Sequence, residues 1–108
     1  MSTLRNRVQL IGRVGQDPEI KVLENNKKLA RLSLATNESY TNAKGEKVEQ
    51  TTWHNIIVWG NLSTIVEQHV TKGKQIAVEG KLSYNDFTTK EGIEKHVAEV
   101  VVDELILL

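Results

Sequence analysis

A single short helical pattern, with strand patterns on both sides of it, constrains the fold of this chain more than any other feature. Four apolar residues recur with the spacing of one helical face: Leu62, Ile65, Val66 and Val70. Asn61 suits the N-cap of this helix, and Gly73 suits its C-terminal end. A helix of about ten residues is too short to be stable alone. We therefore expect it to pack on a sheet formed by the rest of the chain.

Strand patterns fill most of the remaining sequence. Apolar and polar residues alternate over residues 8–14, and a second such segment follows Asn25 and Asn26. The segment between them, residues 16–18, is predicted as a turn because it contains the only proline. The later strands are predicted at about 51–59, from about 75 towards 87, and over 95–108.

The resulting order of elements is β-β-β-α-β-β. It predicts an all-β fold with one short helix, namely a five-stranded, partly open barrel of the oligonucleotide-binding (OB) class. The length suits one domain over residues 1–108. A split α+β sheet is the alternative. We favour the barrel because Gly12, Gly60 and Gly80 interrupt strand patterns where a barrel strand has to bend strongly.

The composition argues against several classes of protein. The 108 residues include no cysteine, which excludes a disulfide framework and a thiolate metal site. No apolar run approaches the roughly 20 residues of a membrane span, and the first residues lack the apolar stretch of a secretory signal. We therefore expect no membrane association and an intracellular location.

The charges are balanced, with 14 basic and 14 acidic residues and a formal net charge of zero. A protein that binds duplex DNA usually carries a basic surplus. Either nucleic acid is not the ligand, or binding depends on stacking and on a local basic stripe. The basic residues are scattered along the chain, and a solvated surface is the ordinary explanation for each of them.

The aromatic residues are confined to the middle of the chain: Tyr40, Trp53, Trp59, Tyr84 and Phe87. Aliphatic segments on both sides are able to fill the core, which leaves the rings for a surface. Alternation in WHNIIVWG puts Trp53 and Trp59 on one face, about 20 Å apart. Such rings suit the stacking of unpaired bases. The alternative is a strand buried on both sides, with its tryptophans in the core, and incidental exposure of the other rings.

Catalysis finds little support in the sequence. The three histidines, His54, His69 and His96, lie on different predicted elements without metal-ligand spacing. No phosphate-binding glycine loop, nucleophile elbow or paired-carboxylate pattern is present. We expect no enzymatic activity, no cofactor and no metal.

Several segments together carry a resemblance to a known family: VQLIGRVGQDPEIK, LSLATNESY and WHNIIVWGNLSTIVEQHVTKGKQIAVEGKL. In combination they closely resemble the bacterial single-stranded DNA-binding proteins, over nearly all of the chain. The resemblance implies an OB fold and binding of single-stranded DNA, without strong sequence preference, in replication, recombination and repair. It also implies a homotetramer, with a dimer as the alternative, and a cytoplasmic, nucleoid-associated location in a bacterium.

The resemblance also implies roles for particular residues. The family's stacking aromatics fall on Tyr40, Trp53, Trp59 and Phe87. His54 matches a subunit contact, and Gly15 matches a turn glycine. The candidates for phosphate contact are Arg7, Lys21 and Lys72, which match basic positions of the family, and in addition Arg31 and Lys81.

The sequence departs from the family pattern in two respects. Uncharged or acidic residues stand where relatives often carry lysine or arginine: Asn55, Asn61, Ser83, Asn85 and Asp86. With zero net charge, this predicts a weaker salt dependence of DNA binding than in basic relatives. The second departure is at Leu108, where this sequence stops before the family's acidic tail, through which members recruit replication and repair proteins. We expect either a truncated form or a short variant, without recruitment by a tail.

Three alternatives to this function remain at this point. The nearest is a primosomal replication protein, a related dimeric barrel, although the paired tryptophans weigh against it. A second is a protein-interaction module whose rings form a protein interface. An enzyme is a distant third.

Overall fold

The computed structural model describes residues 4–108, so the predicted domain boundary at residue 1 lies outside the described residues. The strands and the helix have these bounds: β1 Val8–Val14, β2 Glu19–Val22, β3 Lys28–Thr41, β4 Lys47–Trp59, α1 Asn61–His69, β5 Gln75–Thr88 and β6 Glu94–Leu107. A 3-10 turn at Glu24–Asn26 joins β2 to β3.

Pairing between the first and third strands closes the sheet into a barrel. The strands are ordered β1-β5-β6-β4-β3-β2, and β1 also pairs with β3. The neighbours β4 and β6 are parallel, with Ile56 opposite Val100, whereas the other pairs are antiparallel. Five strands therefore form a closed barrel with one helix, which confirms the predicted fold class.

The short strand β2 is a difference from the prediction, which placed no strand between the turn at residues 16–18 and Asn25. It pairs only with β3 and extends the sheet outside the barrel. In its four residues only Ile20 packs against the core. One inward residue produces no readable alternation, and the pairing with β3 therefore decides that this segment is extended.

Aliphatic side chains fill the barrel. The largest fully buried apolar residues are Leu34, Ile56, Ile76, Val58 and Val66, the last of which belongs to α1. No aromatic ring of the described residues is part of this core. The prediction that aliphatic residues suffice for the interior is confirmed, and the rings are left outside it.

The N-cap, the buried face and the C-terminal end of α1 differ from the sequence prediction, since the helix ends at His69 with Val70 as its C-cap and does not extend to Gly73. Gly60, with a φ of 68°, is the N-cap, so that Asn61 is instead the first residue of the helix. Ser63 is fully buried, and its hydroxyl donates a 2.5 Å hydrogen bond to the carbonyl of Gly60. Ile65, which was predicted in the apolar stripe, is instead exposed. The helix therefore packs through Leu62, Ser63 and Val66, together with the adjacent Val70.

Two glycines permit close contacts between strands. A side chain at Gly12 would overlap the backbone carbonyl of Ala35, at the point where β1 meets β3. A side chain at Gly80 would overlap the carbonyl of Val101, next to a register shift between β5 and β6. Both glycines lie where the barrel needs close approach of two backbones, as expected for strand glycines.

Candidate nucleic-acid interface

The two tryptophans of β4 lie on the outside of the barrel. Strand alternation turns Ile56 and Val58 inward, and both are buried. Trp53 and Trp59 point outward and are 61% and 43% exposed. The alternative in which their rings belong to the core is therefore excluded.

The register places residues of the neighbouring strands on the same side as the tryptophans, and two of them, Leu29 and Glu99, are themselves buried. On β3, Leu29 lies opposite Trp59, and Ala35 lies opposite Trp53. On the other side of β4, Glu99 of β6 lies beside Asn55. We call this surface the aromatic face: the outward residues of β4 together with those of β2, β3, β5 and β6 that flank them.

Phe87 belongs to the same aromatic face. Ser83 lies opposite Glu99, and alternation along β5 then turns Lys81, Asn85 and Phe87 to the same side. The Phe87 ring is 46% exposed. Three of the four rings that the sequence analysis selected therefore share one side of the sheet.

Tyr40 lies on the opposite side of the β3–β4 ribbon. Its partner on β4 is Val48, which is an odd number of residues from Trp53 in a register without interruption. Alternation therefore turns Tyr40 away from the tryptophans. The ring is exposed, at 53%, near the end of the ribbon. Tyr84, which is also exposed, alternates in the same way with respect to Phe87.

The Trp53 ring rests on the turn that follows β1. A side chain built at Gly15 would overlap the six-membered part of the indole. The backbone N–H of Gly15 donates a 2.9 Å hydrogen bond to the carbonyl of Ser33, which holds this turn against β3. The missing side chain at Gly15 therefore makes the space that the six-membered ring of Trp53 occupies.

Trp59 is the last residue of β4. It lies beside two lysines that the sequence analysis did not select. An open cavity there is lined by Trp59, Lys27, Lys28 and Thr64. The Lys28 ammonium is 3.0 Å from the carboxylate of Glu67 on α1. Lys27 and Lys28 directly follow the turn at Asn25 and Asn26, and nothing in the sequence there indicates that they flank an aromatic ring.

The five predicted phosphate residues fall into two groups. Arg7 pairs with Glu79 at 2.5 Å, and Arg31 pairs with Glu99 at 3.0 Å. Within residues 4–108, Lys21, Lys72 and Lys81 have no ion pair. Two of these lysines lie on the aromatic face. Lys21 of β2 is opposite Leu29 of β3, and Lys81 of β5 is opposite Val101 of β6.

Lys72 lies apart from those two lysines, in the segment after α1. Its backbone N–H donates a 2.8 Å hydrogen bond to a carboxylate oxygen of Asp17. This bond holds the segment against the turn between β1 and β2, and the Lys72 side chain remains exposed.

His54, which the resemblance assigned to a subunit contact, is half-buried within its own chain. It lies opposite Leu34, on the inward side of the ribbon. Its Nε2 is 2.9 Å from the hydroxyl of Thr36. The single chain thus supplies a hydrogen-bond partner for one ring nitrogen.

Comparison with known proteins decides the family. The profile of the Single-strand binding protein family matches residues 5–108. This chain belongs to that family. Two curated single-stranded DNA-binding proteins, from Neisseria meningitidis strains of serogroups A and B, are each 36% identical to it over 103 residues, which are 95% of this chain. The match covers 59% of each relative, so the chain spans about three-fifths of their length.

A solved structure of the family has the same fold. It is described as a Plasmodium falciparum SSB complex with single-stranded DNA and is 33% identical to this chain. The TM-score is 0.90, and the match covers 100% of this chain and 97% of the other.

Among residues 4–108 there is no group of three or more histidine, aspartate or glutamate side chains arranged to hold a metal ion. No helix in the same range has both the length and the apolar character needed to cross a membrane.

Proposed function

We propose that this chain binds single-stranded DNA without strong sequence preference, as a non-catalytic protein of replication, recombination and repair. One observation carries the proposal: two exposed indoles, Trp53 and Trp59, lie on one outward face of a single strand. A family member with this fold is described in complex with single-stranded DNA. Because every base has a π-face, such rings bind bases of any sequence.

Stacking supplies most of the affinity in this proposal. Trp53, Trp59 and Phe87 each contribute about 1 to 3 kcal/mol by stacking on a base. Tyr40 is the fourth stacking residue. Since it lies on the other side of the β3–β4 ribbon, a strand that contacts it also has to pass around the edge of that ribbon.

Phosphate contacts come mainly from lysines without an acidic partner. Lys21 and Lys81 flank the rings, and Lys72 is exposed beside the β1–β2 turn. Arg7 and Arg31 are already paired with carboxylates. A phosphate has to displace those carboxylates, and the loss of these ion pairs offsets part of the favourable free energy of the arginine–phosphate contact. We therefore propose that few phosphates are neutralised and that binding depends only moderately on salt.

Self-association completes the proposal, as a homotetramer or alternatively as a dimer. An apolar patch with exposed isoleucines crosses three neighbouring strands, through Ile11 of β1, Ala77 of β5 and Ile106 of β6. Exposed apolar patches commonly mark protein–protein interfaces. Several copies on one DNA strand raise the effective concentration of each further site. His54 is proposed as a residue of a subunit contact.

The remaining parts of the proposal concern domain structure, cofactors and location. Residues 1–108 act as a single domain, and binding needs neither a cofactor nor a metal ion. The protein acts in the bacterial cytoplasm, where it associates with the nucleoid.

A fluorescence titration tests the proposed function. Both tryptophans lie on the proposed contact surface, and oligo-dT should therefore quench their emission strongly, whereas a duplex of equal length should change it little. A Trp53→Ala, Trp59→Ala double variant, examined by anisotropy of labelled oligo-dT, serves as the control for stacking. Equal responses to duplex and oligo-dT, or no response to either, would contradict the proposal.

A further inference from the structure

A small pocket opens on the aromatic face next to Phe87. Its volume is about 270 Å³, below the roughly 300 to 1,000 Å³ of sites for drug-sized ligands. The lining residues that matter here are Arg31, Asn55, Asn85, Phe87 and Glu99. Phe87 is one of the lining residues, so a base that stacks on this ring would lie next to the pocket. The pocket is of a size for one planar ring system.

A buried carboxylate belongs to this pocket. Glu99 is only 6% exposed, and its Oε2 is 3.0 Å from Nη1 of Arg31. Its second oxygen, Oε1, has no hydrogen bond within residues 4–108. Every side-chain oxygen of the described residues that is fully shielded from solvent does have a hydrogen-bond partner, so Oε1 is not fully shielded. Oε1 therefore keeps contact with solvent and is available as an acceptor for an incoming donor.

The charges around the pocket disfavour a phosphate as its occupant. Asp17 and Glu19 also line it, so that three carboxylates face one guanidinium group. The Nδ2 of Asn55 is directed to the carbonyl of Ala98, at 3.4 Å, which leaves the Oδ1 of this amide to accept. A polar group that donates hydrogen bonds fits this arrangement better than an anion does.

We propose that the pocket receives the edge of one nucleobase stacked on Phe87 and prefers cytosine to thymine. Cytosine presents an exocyclic amino group that donates, and carboxylate side chains accept from this group. Thymine carries a carbonyl oxygen at the same ring position, which would face the acceptor oxygens of Glu99 and Asn55. The inference rests on the proposed binding of single-stranded DNA and adds a base preference to it.

Three oligonucleotides of equal length test the proposal on the unaltered protein: oligo-dC, oligo-dT and an oligonucleotide of pyrimidin-2-one, which is cytosine without the amino group. Dissociation constants are measured near neutral pH by tryptophan fluorescence. We expect oligo-dC to bind more tightly than the other two by about tenfold, the lower end of the range for one hydrogen bond to a charged acceptor. Equal binding of all three would overturn the inference.

Two matched variants locate the preference. Glu99→Gln retains the shape of the side chain but carries an amide that also donates to thymine, and we expect it to bind oligo-dC and oligo-dT equally. Glu91→Gln removes the same charge from an exposed position of the turn between β5 and β6, outside the pocket, and it should keep the preference. Unchanged preference in Glu99→Gln would refute the role of Glu99.

The proposed function and this inference fail differently. If none of the three oligonucleotides binds, the proposed function itself is wrong. If all bind but without a difference between cytosine and thymine, only the base pocket is wrong. Should Glu99→Gln fold poorly, as judged by its thermal transition, the comparison with pyrimidin-2-one on the unaltered protein still decides the inference.

Discussion

The indole of Trp53 occupies the space that a side chain at Gly15 would fill. The turn after β1 and the middle of β4 are thereby in direct contact across the surface of the sheet. Because Trp53 is also 61% exposed, its ring contacts the protein at Gly15 and remains largely open to solvent. A supported and exposed ring is a suitable platform for one base.

Gly15→Ala should weaken binding of oligo-dT by displacing the Trp53 ring. We expect a loss of about tenfold, close to that of Trp53→Ala, because stacking on one ring contributes about 1 to 3 kcal/mol. The contact is with a largely exposed side chain, which is able to move. Thermal unfolding should therefore change little. Gly12→Ala is the contrast: its new methyl group meets a backbone carbonyl, so we expect it to lower stability.

Trp53→Ala should separate binding from folding. The ring is outside the core, so we expect weaker binding of oligo-dT with little change in the free energy of unfolding. Ile56→Ala, three residues along the same strand and 1% exposed, should instead lower the free energy of unfolding by about 2 to 5 kcal/mol. Denaturant unfolding measures the free energy of unfolding of both variants, and anisotropy of labelled oligo-dT measures their binding. A comparable loss of stability in Trp53→Ala would show that the ring belongs to the core.

The salt dependence of binding should distinguish the two groups of basic residues. Lys81 has no ion pair in the described part of the chain, and Lys81→Ala should lower the slope of log affinity against log salt by about 0.7. Arg31→Ala should change it less, since Glu99 already neutralises this arginine. A slope for the unaltered protein as steep as that of basic relatives would contradict the proposed scarcity of phosphate contacts.

The Arg31–Glu99 pair should also contribute to stability. Glu99 is nearly buried, and Arg31→Ala would leave its carboxylate without a partner. Because the Arg31 side chain is 46% exposed, solvent screens the pair, and we expect a cost of about 1 to 2 kcal/mol, below that of a fully buried pair. A double-mutant cycle with Glu99→Leu measures the coupling. Additive effects of the two substitutions would show that the pair contributes nothing.

The effect of Tyr40→Ala should depend on the length of the DNA. Tyr40 lies on the side of the ribbon opposite to Trp53, so an oligonucleotide that spans only the tryptophans does not reach it. We expect no change for such a short oligonucleotide and a several-fold loss for a longer one. The matched substitution Trp59→Ala should weaken both. If Tyr40→Ala also weakened binding of the short oligonucleotide, Tyr40 would share the surface of the tryptophans.

The local pattern of β4 was sufficient to predict that its two tryptophans share one side of the strand, but it did not decide whether that side faces the solvent or the core. Alternation is a property of one strand, but Ile56, Ile57 and Val58 are apolar on both sides of it, and only the closed barrel decides which side is inward. The prediction grouped Tyr40 with these rings because all four are aromatic and match the family's positions. Its side of the ribbon depends on the number of residues that separate it from Trp53 through the pairing of two strands. The resemblance carried no information about that register.

The pairing of Arg31 with Glu99 was beyond the reach of sequence reasoning. The two residues are 68 positions apart, and each taken alone looks like an ordinary solvated charge. They meet only because β6 runs parallel to β4 while β3 pairs with the other side of β4. Arg31 was predicted as a phosphate contact for this reason, whereas the structure shows that a carboxylate already occupies it.

The sequence by itself determined the order of the barrel elements, the aliphatic character of the interior and the common side of β4 that carries both tryptophans. All three follow from periodicity and composition within single segments. The tertiary structure alone decided the closure of the barrel through β1 and β3, the addition of β2, and the position of Glu99 beside Arg31 and Phe87. These depend on the pairing of strands that are distant in the chain, which packing of the whole barrel selects.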